Sequence, residues 1–298
     1  MQVFVSIAVL FFAAAAIAAD ARLHVVTSFF PIYCWTLNIA GTDAQVDNLL
    51  PMRSEPHDYA FTPSDARKLA NADLVAVNGL GLENWLPKFL HNSSEAQDKL
   101  IRISAGFDSY LIAGAFWHGH NRREQAGLSH ANPHVWLDPQ LAMIAVSNIL
   151  VGMQRADPAH AGAYESNAQA YVTRLRTLDR EIHQSLAAAT HRAIVTYHDA
   201  FPYFARRYQL EIAGVVEQVP EVNPTPKYLA RLSRMMRERD IGVIFVGPGG
   251  QTRLARQIAA DLRVQLVVLD TLESGALSPT AYEDSMRHNA VVLRQNLK

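Results

Sequence analysis

Residues 158–189 read PAHAGAYESNAQAYVTRLRTLDREIHQSLAAA and carry one helical periodicity from end to end. Their apolar residues recur three or four positions apart, which is the spacing of one face of an α-helix: Tyr164, Ala168, Tyr171, Leu175, Leu178, Ile182 and Leu186. Asp157-Pro158 supplies a helix start. At about 1.5 Å per residue, the helix would be roughly 45 Å long and would cross a whole domain. The stretch therefore predicts a helical spine.

Short β-branched runs alternate with longer amphipathic stretches on both sides of this spine, a pattern typical of α/β domains with mainly parallel sheets. The predicted strands are Leu23–Thr27, Ala44–Leu49, Asp73–Asn78, Ala193–Tyr197, Ile212–Val216, Ile241–Val246 and Val264–Leu269. The predicted helices, apart from the spine, are Pro31–Ala40, Pro63–Ala70, Pro226–Arg239 and Thr252–Leu262. We expect two similar α/β lobes joined by one long backbone helix, with lobes at 20–156 and 191–298 and the helix at 157–190.

The first 19 residues contain no charged side chain and are almost wholly apolar from Val3 to Ala18. The run ends in Ala16-Ile17-Ala18, which matches an A-x-A cleavage site, and the whole pattern is typical of an export signal. The alternative is an uncleaved membrane anchor, although the run is short of the ~20 residues that span a bilayer. No cysteine stands at its end, so we expect a periplasmic protein without a lipid attached through cysteine.

Composition narrows the possible partners and the means of stabilisation. The chain has 27 basic and 28 acidic residues, and this near-neutral balance makes nucleic acid or an anionic membrane an unlikely partner by charge. Cys34 is the single cysteine and cannot form an internal disulfide, so a large apolar core must stabilise the exported protein.

Three histidines lie in predicted turns or at a strand end, each near an acid: EPHDY at 55–59, NPHVWLD at 132–138 and TYHD at 196–199. Neutral imidazole suits zinc and similar divalent metals. His198 directly follows a predicted strand, and Asp270 follows another, which places both at the edge where open α/β sheets bind ligands. If the lobes face each other, His57 and His134 would come from the first lobe and His198 and Asp270 from the second, completing a four-coordinate zinc shell.

Simpler interpretations compete with each of these assignments. An isolated histidine is more often a surface or hydrogen-bonded residue, and an acid after a strand commonly caps the next helix. The segment from Gly114 to Ala131 also carries His118, His120 and His130. It is predicted to be an exposed loop that either captures metal weakly as an accessory site or is simply solvated.

Three runs resemble the zinc/manganese solute-binding proteins of bacterial ABC importers, the cluster A-I metal-binding family that includes high-affinity zinc uptake proteins. They are EPHDYAFTPSD at 55–65, NPHVWLDP at 132–139 and YHDAFPYFA at 197–205. The resemblance implies two α/β lobes flanking one long helix, with the ion held between them by His57, His134, His198 and Asp270. It further implies delivery to an inner-membrane ABC permease with its ATPase. We expect a monomer that performs no chemistry of its own.

The residue at position 198 bears on the choice of metal. Manganese-type members of the family place a carboxylate where His198 stands, and imidazole at that place suits zinc better. The sequence therefore favours Zn²⁺ as the transported ion, with Mn²⁺ as the alternative. Two further hypotheses are a metal-dependent adhesin and a zinc hydrolase, and the absence of the H-E-x-x-H motif counts against the hydrolase.

Overall fold

Two four-stranded sheets form the centres of two lobes in the computed structural model, which describes residues 22–57, 59–86, 94–114, 131–217 and 223–297. All strand pairs within the two sheets are parallel. This confirms the predicted fold class. The proposed export signal at 1–19 lies outside the described residues, and the predicted domain boundaries stay predictions.

The first lobe contains a sheet of order β2-β1-β3-β4. Its strands are β1 (Leu23–Thr27), β2 (Ala44–Asn48), β3 (Leu74–Val77) and β4 (Leu100–Arg102). Its helices are α1 (Phe30–Ala40), α2 (Pro63–Ala70), α3 (Ser94–Lys99) and α4 (Pro139–Ala156). Thr62 caps α2, accepting a hydrogen bond from the Asp65 amide, while Pro63 takes the first helical position.

The second lobe repeats this topology with a sheet of order β6-β5-β7-β8. Its strands are β5 (Ala193–His198), β6 (Glu211–Glu217), β7 (Val243–Val246) and β8 (Gln265–Val268). Its helices are α6 (Pro202–Tyr208), α7 (Pro226–Glu238), α8 (Arg253–Leu262) and α9 (Ala281–Asn296). In each sheet the strand that comes first in the sequence, β1 or β5, has a neighbour on both sides. The strand order therefore reverses beside it, and open α/β sheets bind their ligands at such a reversal.

The spine is α5 (Ala161–Leu186), preceded by a short 3-10 turn at Pro158–His160. The seven apolar residues that predicted it are all buried, none more than 3% exposed. Two charged contacts fasten α5 to its neighbours: Arg174 pairs with Glu283 of α9, and Asp179 pairs with Arg207 of α6. The spine is therefore tied to both the C-terminal helix and the start of the second lobe.

One continuous apolar core runs from the first lobe through α5 into the second, and includes Val25, Trp136, Leu175, Phe204 and Leu293. A smaller core lies between the second sheet and its outer helices, around Val216 and Ile258. Because close-packed cores resist deformation, the shared core limits how freely the lobes can move. No helix in the described ranges is long and apolar enough to cross a membrane.

Periodicity missed β4, α3, α4, α6 and α9. Strand β4 has three residues, α3 six and α6 seven, and such lengths are too short for a periodic signal to stand out. Helix α4 is largely apolar, and eight of its 18 residues are buried. Too few polar residues mark its exposed face for a helical period to stand out. The ends of the predicted strands and helices otherwise differ by a few residues at most.

Candidate metal centre

Four side chains from distant parts of the chain converge between the lobes: His57, His134, His198 and Glu273. Each offers one candidate ligand atom, and these four atoms lie within 4.8 Å of one another. His134 and Glu273 are buried, whereas His57 and His198 are partly exposed. Within the described ranges this is the group of histidines, cysteines and acids that could hold a metal ion.

The distances within this group fit a small coordination shell. The Nε2 atom of His134 lies 3.2 Å from that of His57 and 3.1 Å from that of His198. The Oε1 atom of Glu273 lies 3.0 Å from His57 Nε2 and 3.2 Å from His134 Nε2. Tetrahedral zinc with bonds of about 2.0–2.1 Å places its ligand atoms about 3.3 Å apart. The observed spacing is therefore close to that of a zinc shell.

His57 lies in a turn that an aromatic pair of the first lobe holds in place. The indole nitrogen of Trp85 donates a 2.7 Å hydrogen bond to the carbonyl oxygen of Pro56. The Trp85 ring packs edge-on against Tyr59, with ring centroids 5.0 Å apart, and the Tyr59 hydroxyl donates to Asp65 of α2 at 2.8 Å. The backbone on both sides of His57 is thereby anchored to the first lobe.

His134 precedes a 3-10 turn at Val135–Leu137 and is only 2% exposed. Its ring Nδ1 and backbone nitrogen both lie within hydrogen-bond distance of the Asn132 side-chain oxygen, at 2.9 and 3.0 Å. Burial is the main cause that lowers the pKa of His134, although Glu273 opposes it. The ring is therefore neutral at physiological pH, the state in which imidazole binds metals.

His198 is the last residue of β5 and pairs in register with Glu217 of β6. It therefore lies at the carboxyl end of the strand beside which the second sheet reverses its order, as the sequence predicts for a ligand site. Burial, helped by the neighbouring His134, lowers the pKa of His198 to about 4. This second imidazole is also neutral at physiological pH.

Glu273 lies in the loop between β8 and α9, which returns to the first lobe. Its Oε2 atom accepts a 2.7 Å hydrogen bond from the Thr271 hydroxyl. Burial favours the neutral acid, but the adjacent imidazoles of His134 and His57 outweigh it and hold the pKa of Glu273 well below its ordinary value. The group thus offers one ionised carboxylate and nitrogen donors, a set suited to a borderline divalent cation.

Asp270, the fourth ligand expected from the sequence, does not join this group. Its Oδ1 atom accepts a 2.8 Å hydrogen bond from the backbone nitrogen of Leu272, and its backbone exchanges two hydrogen bonds with the buried Asn289 of α9. Asp270 is thus used to shape the loop, and Glu273 carries the carboxylate into the cluster. A search of all acids within a few residues of the strand end would have included Glu273.

The remaining sequence predictions near the site have mixed outcomes. His118, His120 and His130, the proposed accessory loop, lie outside the described residues, as does Asp58. Asp138 caps α4 by accepting a 2.8 Å hydrogen bond from the Gln140 amide. Asp199 accepts hydrogen bonds from Asn132, so it supports the site from behind His198.

Comparisons with known proteins identify close relatives over nearly the whole chain. Residues 25–296 match the family described as ZnuA, zinc-uptake complex component A periplasmic. The high-affinity zinc uptake system protein ZnuA of Bacillus subtilis is 31% identical over 282 residues, covering 93% of this chain and 88% of that protein.

Solved structures show the same fold with different metals bound. Zn(II)-bound AdcA of Streptococcus pneumoniae superposes with a TM-score of 0.74 at 28% identity, covering 93% of this chain and 58% of that longer chain. The solute-binding protein FpvC of Pseudomonas aeruginosa, in complex with Mn²⁺, gives a TM-score of 0.78 at 27% identity, with 93% and 98% covered. On the extent of these matches, the chain belongs to the ZnuA family of periplasmic zinc-uptake components.

Proposed function

We propose that this protein captures Zn²⁺ outside the cytoplasm and delivers it to the permease of an ABC importer. The observation that carries the proposal is the cluster of three imidazole nitrogens and one carboxylate between the lobes, with candidate ligand atoms within 4.8 Å of one another. Membership of the ZnuA family gives the same function, and the zinc-uptake relative from Bacillus subtilis supports it. The family is one of transport proteins that bind a substrate, not of enzymes.

The donor set supports zinc as the preferred ion. Imidazole suits zinc, nickel and copper, whereas manganese favours oxygen donors. His198 contributes nitrogen at the position where a carboxylate would favour manganese. Related structures hold Zn(II) in AdcA and Mn²⁺ in FpvC, so the fold tolerates several ions, and the donor set of this chain places zinc first.

The ligand assignment is part of the proposal: His57, His134 and His198 bind through Nε2 and Glu273 through Oε1. The lowered pKa values of His134, His198 and Glu273 favour two neutral imidazoles and an ionised glutamate near neutral pH, the protonation states in which these groups bind a divalent ion. The ion would also relieve the unfavourable burial of the glutamate charge. Binding should therefore favour the closed arrangement of the lobes.

The partners are an inner-membrane ABC permease and its ATPase, to which ZnuA-type components deliver their ion. We further infer a monomer that is exported by cleavage after residues 16–18 and carries no lipid. The apolar run at 1–19 and the lack of a cysteine beside it support the export and the absence of a lipid. Mass spectrometry of the N-terminus of protein from the native periplasm tests both directly.

Calorimetry on the metal-free mature protein tests the binding step. Zinc should bind with a stoichiometry of about one, and His57→Ala, His134→Ala and His198→Ala should each weaken affinity by at least 10-fold, as is typical when a site loses a ligand or its support. His183→Ala is a matched control, because His183 lies on α5 and contacts Asp179 rather than the cluster. Parent protein that fails to bind zinc would overturn the proposal.

A genetic test separates transport from adhesion, the other use of this fold that the sequence leaves open. Cells lacking the protein should grow poorly under zinc limitation and take up labelled zinc slowly, and the His198→Ala variant should not restore either. An adhesin would instead alter attachment to surfaces with normal zinc uptake. A hydrolase is disfavoured because Glu273 already occupies the fourth position beside the imidazoles, where a catalytic zinc keeps a water.

A further inference from the structure

Asn132 lies at the junction of the two lobes, between one candidate ligand of each. It is 3% exposed and hydrogen-bonds both to His134, in the first lobe, and to Asp199, the residue after His198 in the second. We propose that Asn132 is a positioning residue that couples lobe closure to retention of the ion, and this role rests on the zinc-binding function proposed above. It does so by fixing the His134 tautomer only while it is bonded to Asp199.

The orientation of the Asn132 amide follows from its partners. The backbone nitrogen of His134 can only donate, so the atom 3.0 Å from it must be the Asn132 oxygen. On the other side, the carbonyl oxygen of Asp199 can only accept, so the atom 2.7 Å from it must be the amide nitrogen. These two contacts exclude the flipped amide, which would set like groups against each other.

The fixed amide determines which nitrogen of His134 carries the proton. The Asn132 oxygen has no hydrogen, so the ring Nδ1 that lies 2.9 Å away must be the donor. In a neutral ring, a protonated Nδ1 leaves the lone pair on Nε2. Nε2 is the atom that faces His57, His198 and Glu273. Asn132 thus prepares His134 as a metal ligand.

The other half of the amide ties this ligand to the second lobe. The Asn132 nitrogen donates to both the carbonyl and the carboxylate of Asp199, at 2.7 and 3.1 Å. Because Asp199 directly follows His198 along the chain, these bonds fix the backbone next to the second-lobe ligand. The 3.1 Å separation between the Nε2 atoms of His134 and His198 depends on that connection.

The backbone of Asn132 is bonded to both lobes. Its nitrogen donates to the Ile112 carbonyl of the first lobe at 2.7 Å, and its oxygen accepts from the Tyr203 hydroxyl of α6, in the second lobe, at 2.8 Å. Separating the lobes would break the Asp199 bonds and let the Asn132 amide rotate. The His134 Nδ1 proton would then lose its fixed acceptor, and the ion would lose a preorganised ligand.

An exchange of the two polar partners tests this coupling without changing the net charge. In Asn132→Asp, the carboxylate still accepts from His134, but it faces the Asp199 carboxylate with no hydrogen between them. In the double variant Asn132→Asp with Asp199→Asn, the new amide at 199 can donate to the new carboxylate at 132, but the 2.7 Å bond to the backbone carbonyl of residue 199 is not remade. Asn132→Ala removes both the oxygen that accepts from His134 and the nitrogen that donates to Asp199. Asn148→Ala is the matched control, since the Asn148 amide also donates two hydrogen bonds, in its case to backbone carbonyls at 2.8 and 3.1 Å, away from the site.

The measurements are the zinc dissociation rate with a competing chelator, the visible absorption spectrum with Co²⁺ in place of zinc, and the thermal unfolding of the metal-free proteins. Parent protein must first bind zinc, since failure there refutes the proposed function rather than the coupling. We expect at least 10-fold faster zinc release from Asn132→Ala and Asn132→Asp and an altered cobalt spectrum for Asn132→Ala. The double variant should recover in part, releasing zinc at least threefold more slowly than Asn132→Asp.

Two outcomes would overturn the coupling. One is zinc release from both single variants at a rate within twofold of the parent. The other is a double variant that releases zinc as fast as Asn132→Asp while unfolding at the parent temperature. Should Asn132→Ala not fold, the comparison of Asn132→Asp with the double variant decides alone, and Asn148→Ala shows how much of any change comes from lost stability.

Discussion

The indole nitrogen of Trp136, in the first lobe, donates a 2.8 Å hydrogen bond to the carbonyl oxygen of Thr271, in the second. Thr271 lies two residues before Glu273 and its hydroxyl donates to the Glu273 carboxylate. Trp136 also precedes Asp138, the cap of α4, and its ring lies 4.9 Å from that of His134. One residue thus supports both a histidine and the carboxylate of the candidate site.

Trp136→Phe is expected to weaken zinc binding as well as the fold. The Thr271 carbonyl would be left buried without this donor, which costs about 1–3 kcal/mol, and the Glu273 loop would lose an anchor. Trp35→Phe is the control, because Trp35 is equally buried and its indole nitrogen finds no partner among the described residues. Zinc calorimetry should show weaker binding for Trp136→Phe only; equal affinities would contradict the anchoring role.

Glu273→Gln should mainly weaken zinc binding, whereas Asp270→Asn should mainly lower the stability of the fold. The first change removes the anionic donor from the cluster and should reduce zinc affinity by at least 10-fold. The second leaves the cluster intact but weakens the contact with the Leu272 amide, so it should mainly lower the unfolding temperature. Calorimetry and thermal unfolding on both variants decide the matter, and the reverse pattern would restore Asp270 as the fourth ligand.

Gly275→Ala should disturb the Glu273 loop, because the added methyl carbon would lie 2.7–2.9 Å from ring atoms of the buried Phe30. Overpacking of this kind costs about 1–3 kcal/mol. Adding Phe30→Leu should recover part of the loss, because the smaller side chain makes room. Gly162→Ala is the control, since nothing lies within 4 Å of its added carbon. Urea unfolding of these three variants and of Phe30→Leu alone measures each contribution, and a Gly275→Ala protein as stable as the control would refute the clash.

Asp179→Asn should destabilise the metal-free protein near pH 7 and have little effect in acid. Burial raises the pKa of Asp179, but hydrogen bonds from Arg207 and the nearby charge outweigh it, so the pKa is lowered overall. A lowered pKa in the folded state contributes stability above the ordinary carboxyl pKa, and that stability is lost as pH falls through the folded pKa. We expect a loss of about 2 kcal/mol at pH 7.

Urea unfolding from pH 7 down to pH 3 measures this dependence. The gap between parent and variant should narrow below about pH 4, near the ordinary aspartate pKa. Glu181→Gln is the control, because Glu181 pairs with Arg287 where both side chains are close to half exposed, and exposed pairs contribute at most about 1 kcal/mol. A gap that stays constant with pH would show that the Asp179 charge contributes nothing.

Much of the fold could be predicted because it follows from local patterns. The spine is predicted by its apolar spacing, and its seven marked residues are all buried. The strands are predicted by β-branched runs, and the Thr62-Pro63 start of α2 by its capping residues. The three histidines could be singled out because each lies in a turn or at a strand end with an acid nearby in the sequence.

Only the tertiary structure decided which carboxylate lies beside the three histidines. Asp270 lies nearer to the end of β8, two residues after Val268, but its short side chain accepts the hydrogen bond of the Leu272 amide. Glu273 reaches the cluster because Trp136, Thr271 and the packing of Gly275 against Phe30 turn the loop back onto the first lobe. The contacts of Trp136 with Thr271 and of Gly275 with Phe30 join residues more than 100 positions apart, so no local spacing in the sequence encodes them. The sequence by itself determined the lobes, the spine and the three imidazoles, whereas the convergence of four donors, and the amide of Asn132 between them, depend on how the lobes pack.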